Sequence, residues 1–257
     1  MKHRIVESNQ ELFACYDDLK AGDIVAGRIR LAGEQEHLLL DLVSRGVRLF
    51  PSASAQLCSR SKVYQAALLS RFMVEGTLPV YCMQDMLEAV TGYGRIGVNR
   101  VVCKLDRANA GLGILRFSSI EDVYSQVALG SLAFPFMIQP FVEGCRDVRV
   151  VILGKTVEAY RRHNPYNFRH NLHCGGTSLP WELTGAQLDF CRRVMERADF
   201  PHAHVDLLLL PDGTHRLSEI NLRGGLRGAQ MTQQDYLQMV AKIQAKELER
   251  MKAGDGE

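Results

Sequence analysis

Apolar and polar residues alternate along this chain in blocks that predict strands and helices following one another. Short runs rich in valine, isoleucine and leucine, bounded by turn residues, predict strands. Longer segments with apolar residues three and four positions apart predict helices, several of them preceded by a serine or threonine that can cap the first turn. The predicted strands are residues 23–29, 47–50, 98–105 and 136–142, and the predicted helices are residues 36–45, 61–72, 118–129, 184–198 and 233–251. The pattern indicates an α/β protein.

Two further segments have the pattern of β-hairpins. The first, residues 147–162, turns at Gly154-Lys155 and sets Asp147 opposite Arg162, a favourable cross-strand pair of opposite charges. The second, residues 204–221, turns at Asp212-Gly213 between two apolar runs. Within these hairpins the sequence also predicts which side chains are neighbours.

The second hairpin gathers candidate metal ligands at its open end. A two-residue turn places Asp206 directly opposite Glu219, and Asn221 shares a face with Glu219 because side chains two apart point to the same side of a strand. Facing carboxylates repel each other unless a cation lies between them. Three oxygen donors suit Mg²⁺, whereas a solvent-facing hairpin with charges at its mouth explains the same residues without a metal. The hairpin alone does not decide between the two.

Composition and charge narrow the class of protein. The chain has 257 residues, of which 46% are hydrophobic and 23% charged, and its net charge of +2 indicates neither a nucleic-acid-binding nor a membrane-attracting surface. Seven scattered cysteines without a CxxC pair argue against a disulfide framework or structural zinc. The N-terminal segment lacks a signal-peptide core, and no apolar run is long enough to span a membrane. We therefore expect a cytoplasmic protein that binds neither nucleic acid nor membranes.

Two glycine-containing segments are candidates for phosphate binding. Residues 92–97 match the letters GxGxxG, but a helical segment precedes them and a strand follows, the reverse of a dinucleotide-binding turn, so we predict a loop. Residues 104–113 (KLDRANAGLG) place a lysine at the end of an apolar strand, and a loop follows whose backbone N–H groups could hold phosphates. A plain flexible hairpin is the alternative for this second segment.

A basic run follows the first hairpin. Such a run is most often a solvated surface, and RNA contact is a second interpretation, although two interleaved aromatic residues are too few for a stacking platform. Near a metal-bound polyphosphate, the same cations would instead neutralise charge that develops during phosphoryl transfer. The run consists of Arg161, Arg162, His163, Arg169, His170 and His173.

Taken in order, these segments resemble the ATP-grasp superfamily, in particular the RimK-type glutamate ligases and the glutathione synthetases. The resemblance is carried by the strand lysine, the glycine loop, QPFVE, the DVR hairpin, FRHNLHCGG and the D…EIN segment, and it covers roughly residues 58–230. It implies an α+β ATP-grasp fold in which two lobes sandwich ATP. In this family a substrate carboxylate attacks the γ-phosphate, and an amine captures the resulting acyl phosphate.

The resemblance implies a division into two parts. A shortened N-terminal α/β unit covers residues 1–57, and the ATP-grasp domain covers residues 58–252, with lobes at about 58–137 and 138–252. Residues 253–257 are expected to form a disordered tail. Because the N-terminal unit helps to bind substrate in relatives, its shortness implies a reduced pocket or a site completed by a partner subunit, as in a homo-oligomer.

The resemblance also implies roles for individual residues. The loop at 110–113 is expected to cover the phosphates, and Lys104 and Arg169 to stabilise the transferring phosphoryl group. Asp206, Glu219 and Asn221 match the Mg²⁺ ligands, with Glu219 bridging two ions; Mn²⁺ is an alternative metal. The hairpin geometry agrees with this set. The nucleotide-contacting residues implied are Lys62, Lys104, Gly111, Gly113, Gln139, Pro140, Phe141, Val142, Glu143, Asp147, Arg169, His170 and Asn171.

Arg223 departs from the RimK-type pattern. The RimK-type ending is N-x-x-P-G, whereas Asn221 is followed here by Leu-Arg-Gly-Gly. Arg223 resembles instead the arginine in the E-x-N-x-R ending of the carboxylase-like and peptide-ligase branches, where it faces the acyl phosphate or the substrate carboxylate. It is therefore a third expected catalytic residue.

The function implied is an ATP- and Mg²⁺-dependent carboxylate–amine ligase that adds an amino acid to a peptide or small-molecule carboxylate. Two alternatives stay open: an ATP-grasp kinase acting on a small-molecule hydroxyl, and a non-catalytic ATP-binding regulator. The expected partners are the carboxylate and amine substrates.

Overall fold

The computed structural model describes residues 3–108 and 111–253, and these form three β-sheets with helices packed against them. Ala110 of the expected lid loop and residues 254–257 of the expected tail lie outside the described residues. The strands are β1 Ile5–Val6, β2 Ile24–Ala26, β3 Arg48–Phe50, β4 Leu78–Val80, β5 Val101–Leu105, β6 Ile114–Phe117, β7 Phe136–Pro140, β8 Arg146–Leu153, β9 Thr156–His163, β10 Thr177–Pro180, β11 His202–Leu209 and β12 His215–Asn221. The helices are α1 Asn9–Ala14, α2 His37–Ser44, α3 Ala53–Cys58, α4 Lys62–Leu69, α5 Met83–Ile96, α6 Ile120–Ala128, α7 Gly185–Arg197 and α8 Gln233–Ala253.

The first three strands of the chain form a small parallel sheet in the order β1-β2-β3. The sequence predicted β2, β3 and α2, and α2 ends before Gly46, which has a φ of +77°. Strand β1 and helix α1 were missed, because two strand residues and six helical ones are too few to establish a period. The sheet packs on both helices through a separate core that includes Leu12, Leu39 and Leu42.

The second sheet has four antiparallel strands in the order β4-β7-β5-β6, and helices α5 and α6 cover one face of it. Ser119 caps α6 through a reciprocal capping box with Asp122. Strand β7 crosses the expected lobe boundary at 137/138, so the four-stranded sheet extends to Pro140.

The GxGxxG letters at 92–97 lie at the end of a helix, so the prediction of a loop was wrong. Gly92 and Gly94 are inside α5, and Gly97 ends that helix with a φ of +68°. Burial of Met86, Ala89 and Tyr93 along one face holds the segment helical in spite of its glycines.

The third sheet has five antiparallel strands in the order β10-β9-β8-β11-β12. Ala203, Val205 and Leu207 on β11 face a core formed with α3, α4 and α7. Alternation along the strand therefore turns Asp206 to the opposite face, where the functional site lies. Helix α8 packs against part of that face through Tyr236.

Both predicted hairpins form. The β8–β9 hairpin pairs Asp147 with Arg162, and the β11–β12 hairpin pairs Asp206 with Glu219, as predicted. The prediction of a two-residue turn between β11 and β12 was wrong. Leu210 donates its N–H to the carbonyl of Thr214, which closes a three-residue loop with Gly213 at a φ of +84°. A bulge between Asp206 and Leu207 compensates for the extra loop residue and restores the predicted register at the open end.

Candidate active site

Two cavities meet in the cleft between the four-stranded and five-stranded sheets. The hinge cavity, of about 530 Å³, is lined by β5, β7 and the segment after β7. The arginine cavity, of about 550 Å³, lies beyond it and is lined by Lys62, Asn221 and several arginines. The residues common to both linings are Ile114, Arg162, Asn171 and Glu219. The cleft can thus hold one ligand in each cavity and bring them together at Glu219.

Asp206 is buried in a cluster of charges. Arg149 donates to its two carboxylate oxygens at 2.7 and 2.8 Å, and Arg162 lies 2.9 Å from Oδ2. The contact with Arg149 follows from the sheet, because β11 pairs with β8 and sets the two residues opposite each other. Burial raises the pKa of Asp206, but the two guanidinium groups outweigh it and hold that pKa well below its ordinary value.

Arg162 joins Asp206 to Asp147. Its Nε atom donates to Asp147, and both partners are buried. Burial lowers the pKa of Arg162, while the two carboxylates raise it by a larger amount, so the guanidinium stays charged. Asp147 lines the hinge cavity, but its side chain is bonded to this arginine. The expected nucleotide contact of Asp147 stays a prediction.

Lys104 lies on β5 in the wall of the hinge cavity. Its ammonium donates to the carbonyl and the hydroxyl of Ser218 at 3.0 and 3.2 Å. Burial lowers the pKa of Lys104 to about 8, and the nearby Glu219 carboxylate opposes that shift. The side chain therefore titrates near neutral pH until a further negative charge approaches it.

Lys62 lies at the first position of α4, in the lining of the arginine cavity. Its ammonium is 3.6 Å from a carboxylate oxygen of Glu219 and donates to the carbonyl of Ala108, next to the expected lid loop. Ser61 caps α4 as predicted, and Asp106 fixes the same turn by accepting from Ser61 and from the N–H of Val63. Lys62 is thus placed where the two cavities join.

Asn221 and Arg223 follow Glu219 into the arginine cavity. Strand β12 ends at Asn221, and Arg223 and the glycines after it continue along the cavity wall. Among the described residues, the Arg223 side chain has neither a hydrogen bond nor an ion pair. Its guanidinium is free to meet an anion there.

The expected hinge, Gln139 to Glu143, lines the hinge cavity from β7 onward, apart from Pro140. The N–H of Phe141 donates to the carbonyl of Arg100 at 2.9 Å, and Pro140 has no N–H, so an adenine edge would have to use Val142 instead. Glu143 forms an exposed ion pair with Arg100. The hinge and ribose contacts stay predictions.

The FRHN segment lies across the mouth of the hinge cavity. Arg169 donates to the carbonyl of Ile114 and stacks over Phe168 at 4.3 Å. His170 accepts from the N–H of Asn164, and burial lowers the pKa of this imidazole. Asn171 lines both cavities. The phosphoryl contact expected of Arg169 requires its guanidinium to leave Ile114.

The lid glycines lie beside this segment. Gly111 lines the arginine cavity with a φ of +80°, and a side chain there would come within 3.2 Å of the sulfur of Cys174. At Gly113 an added Cβ would lie 2.2 Å from that of Ala108. Glycine is favoured at Gly111 by its positive φ and at Gly113 by this close packing.

The oxygen donors of Asp206, Glu219 and Asn221 fit a hard divalent cation, provided that Asp206 has a free lone pair for it. Glu219 offers a carboxylate where the two cavities meet, and Asn221 offers an amide in the lining of the arginine cavity. A carboxylate has about four lone-pair positions, and Asp206 already uses three on Arg149 and Arg162. Asp206 can therefore ligate through Oδ1, or through Oδ2 after an arginine moves. In the part of the chain that the structure describes, no cluster of three His, Cys, Asp or Glu side chains could hold a metal.

Sequence reasoning missed several residues of the site. Arg149 was not singled out, although it lies two residues after Asp147 on the same strand face. Its role depends on β8 and β11 being neighbours, which the order of strands along the chain does not reveal. Arg116 was also missed; it lies over the rings of Phe141 and Phe168 at 5.3 and 4.8 Å and covers one wall of the hinge cavity.

Two observations concern membrane-spanning helices and disulfide bonds. None of the helices within residues 3–108 and 111–253 is long and apolar enough to cross a membrane. No disulfide joins cysteines of those residues.

Comparison with known proteins gives a family match. The model of the RimK-like ATP-grasp domain matches residues 82–243, more than half of the chain. A probable alpha-L-glutamate ligase of Trichodesmium erythraeum is 30% identical over 176 residues, which are 66% of this chain and 58% of that protein. One of Coxiella burnetii (strain Dugway 5J108-111) is 26% identical over 207 residues, 76% of this chain and 66% of that protein. The chain thus spans less than two thirds of these relatives.

Solved structures share the fold at low sequence identity. D-cycloserine synthetase DcsG superposes with a TM-score of 0.60 at 16% identity, covering 83% of this chain and 78% of that one. The ATP-grasp ligase PsnB, complexed with a minimal precursor, Mg and ADP, gives 0.56 at 19% identity, with 81% and 66% covered. D-alanyl-alanine synthetase A from Vibrio cholerae gives 0.57 at 13% identity, with 84% and 74% covered. The likeness identifies the ATP-grasp fold.

Proposed function

Because the chain belongs to the RimK-like ATP-grasp family, we propose that it is an ATP- and Mg²⁺-dependent ligase that joins a carboxylate to an amine through an acyl phosphate. The two relatives described above are called probable alpha-L-glutamate ligases. The acid substrate is a peptide or small-molecule carboxylate, and the amine is an amino acid.

The observation that carries this proposal is the meeting of two cavities at Glu219. A nucleotide in the hinge cavity would extend its phosphates towards Glu219 and Lys62, and an acid in the arginine cavity would approach the same point from the other side. Such an arrangement suits transfer between two bound molecules, because holding both reactants in one geometry supplies much of the rate acceleration.

The chain's own side chains supply charge and position. In the first step, a substrate carboxylate oxygen bonds to the γ-phosphorus of ATP as the bond between that phosphorus and the ADP oxygen breaks, which gives an acyl phosphate. In the second step, the amine attacks the carbonyl carbon of the acyl phosphate and loses a proton, and inorganic phosphate leaves. Lys104, Lys62 and, after leaving Ile114, Arg169 would stabilise negative charge during the first step. Arg223 would hold the carboxylate, and a closed loop at residues 110–113 would exclude water that hydrolyses the acyl phosphate.

Asp206, Glu219 and Asn221 would hold the divalent cation. When bound, Mg²⁺ neutralises phosphate charge and orients the triphosphate. The proposal includes two ions, both of which Glu219 would help to hold, and Mn²⁺ as a substitute for Mg²⁺. PsnB has been solved with Mg and ADP, which supports this cofactor pair for the fold.

Three further parts of the proposal depend on solution data. We propose a two-part organisation, with residues 1–57 as the N-terminal unit and the ATP-grasp domain from residue 58, since the three-stranded sheet has its own core. A cytoplasmic location agrees with cysteines that form no disulfide among the described residues. A homo-oligomer that completes the acid site stays a prediction for sedimentation analysis.

The direct test is ADP release against pools of carboxylic acids, amines and hydroxyl acceptors. A ligase requires both an acid and an amine, whereas a kinase requires only a hydroxyl acceptor, and mass spectrometry separates the amide from the phosphoester. Dependence on a hydroxyl alone would reject the ligase in favour of the kinase. Binding of ATP without turnover under every condition would instead indicate a regulator.

The Glu219→Gln variant should lose at least about a hundredfold in ADP release with an unchanged melting temperature, because the side chain keeps its shape and loses the charge that binds the cation. Glu182→Gln, on the segment between β10 and α7, serves as the control of equal chemistry. Unchanged ADP release in Glu219→Gln would reject the metal assignment.

A further inference from the structure

A third cavity, of about 280 Å³, lies at the carboxyl edge of the N-terminal sheet. Its lining includes Glu7 after β1, Gly27 and Arg28 after β2, and Pro51 after β3, so it contains the residue that directly follows each of the three parallel strands. Ligands of open α/β sheets bind in the crevice outside the carboxyl ends of the strands. The N-terminal unit therefore presents its ligand-binding edge to this cavity.

The opposite wall comes from the ATP-grasp domain. His202 of β11, Leu222 and Arg223 after β12, and Tyr236 of α8 line it. Arg223 also lines the arginine cavity, so this residue is shared by the third cavity and the cavity in which the substrate carboxylate is expected to react. A molecule long enough to occupy both cavities would contact Arg223.

The third cavity has an excess of positive charge. Arg28, Arg30 and Arg223 line it, and in the described part of the chain none of the three side chains takes part in a hydrogen bond or an ion pair. Arg28 is exposed in this wall, and its partial desolvation, together with repulsion from Arg223, Arg60 and Arg30, lowers its pKa. Arg60, a further neighbour of Arg28, is by contrast paired with Glu36. Unpaired cations that repel each other form a ready site for an anion.

A buried imidazole adds an unsatisfied polar atom to this wall. His202 is 6% exposed, and its Nδ1 has no hydrogen-bond partner among the described residues. Burial lowers the pKa of His202 to about 4, so the ring is neutral at neutral pH and can donate or accept one bond without adding charge. Buried polar atoms of proteins are almost always hydrogen-bonded, which suggests that a ligand or an ordered water completes this one.

We propose that this cavity is an anion pocket, formed by Arg28 and Arg30 and bounded by Arg223 on the side of the arginine cavity, that binds a second anionic group of the acid substrate. The inference rests on the proposed ligase function and narrows its substrate class. The acid carries two anionic groups: a carboxylate that reacts in the arginine cavity, and a further carboxylate or phosphate that anchors the molecule against the N-terminal unit.

Equilibrium binding tests the pocket without requiring turnover. The full chain with ADP and Mg²⁺ is titrated calorimetrically with succinate, glutarate and adipate, each beside its monoamide, which has the same shape and one charge fewer. We expect the best diacid to bind at least about tenfold more tightly than its monoamide. The Arg28→Gln variant should reduce that ratio to below about threefold.

The control is Arg192→Gln on the outer surface of α7, which removes the same charge far from the pocket and should keep the tenfold ratio. A further titration with 4-phosphonobutanoate distinguishes the two kinds of second anionic group. Tighter binding than that of glutarate identifies a phosphate-like group, and weaker binding identifies a carboxylate. Thermal melting verifies that Arg28→Gln is folded.

Equal binding of every diacid and its monoamide, or no binding by any of them, overturns the anion pocket. So does a ratio that survives Arg28→Gln unchanged. Absence of ADP release with every acid and amine would instead reject the ligase function, and the binding ratios would still decide whether the anion pocket exists.

Discussion

At the scale of single residues, the site is organised by the buried carboxylate of Asp206 between Arg149 and Arg162. Breaking a buried ion pair by removing one partner is strongly destabilising, because the remaining charge keeps its desolvation cost. Asp206→Asn should therefore lower the free energy of unfolding by about 3 kcal/mol at pH 7, measured by urea denaturation. Asp189→Asn, exposed on α7, should change it little. Equal stability of the two variants would show that the cluster contributes nothing.

The same carboxylate predicts a dependence on pH. The folded-state pKa of Asp206 is depressed, so its contribution is complete above the unfolded value of about 3.9 and is lost as pH falls below it towards the folded pKa. The stability difference between wild type and Asp206→Asn should shrink by about 1.4 kcal/mol for each pH unit below about 4. A difference that is constant from pH 7 to pH 3 would contradict the depressed pKa.

Lys104 predicts a pH dependence of nucleotide binding. Its pKa of about 8 is lower than the ordinary lysine value because the side chain is buried. Bound phosphates favour the charged form, so binding near pH 8 takes up a proton, and ADP affinity should fall about tenfold between pH 7 and pH 9. Calorimetry in buffers of different ionisation enthalpy measures both quantities.

The matched control is Lys104→Arg, whose guanidinium stays protonated throughout this range. It should bind ADP with nearly the same affinity at pH 7 and pH 9. An equal loss of affinity in the arginine variant would assign the titration to another group.

At the scale of elements, the sequence predicted local pairings well and long-range ones poorly. The open end of the β11–β12 hairpin has the predicted register, although the turn is one residue longer, because the bulge beside Asp206 absorbs the difference. The β8–β9 pairing was also predicted, since one turn determines it. The contact between Arg149 and Asp206 joins strands 57 positions apart, and nothing in the local pattern specifies it.

The 92–97 segment shows how tertiary packing overrides a local signal. Three glycines predicted a loop, yet α5 continues to Ile96 because its apolar face is buried against the four-stranded sheet. The roles of individual site residues came from resemblance to a family. Physical pattern alone left a metal site and a solvent-facing hairpin equally open.

The backbone of the FRHN segment lies so close to Gly176 that a single added methyl group should disturb it. An added Cβ at Gly176 would lie 2.6 Å from the carbonyl oxygen of His170, which is backbone and cannot turn aside. Gly176→Ala should displace His170 and Asn171 and raise the KM for ATP about tenfold or more, since an overpacked site costs roughly 1–3 kcal/mol. Gly185→Ala, in open space at the first turn of α7, should leave the KM unchanged. An unchanged KM in Gly176→Ala would remove this segment from the nucleotide site.

At the scale of the whole molecule, the cavities follow from how three sheets meet. The four-stranded and five-stranded sheets enclose the hinge and arginine cavities, and the N-terminal sheet turns its carboxyl edge towards Arg223. The sequence predicted the fold class, while the division into a small N-terminal unit and an ATP-grasp domain stays a prediction. It did not predict that Arg28 and Arg30, after β2, line one cavity with Arg223, because only the tertiary fold brings together residues about 195 positions apart in the chain.

The central claim is that a substrate carboxylate becomes an acyl phosphate in this cleft. Once screening has identified an acid and an amine, the acid is labelled with ¹⁸O in its reacting carboxylate, and the inorganic phosphate released during turnover is analysed by mass spectrometry. We predict that one labelled oxygen appears in each phosphate, because the carboxylate oxygen that attacks phosphorus leaves with it. Unlabelled phosphate, with all of the label kept in the amide and the remaining acid, would contradict the account.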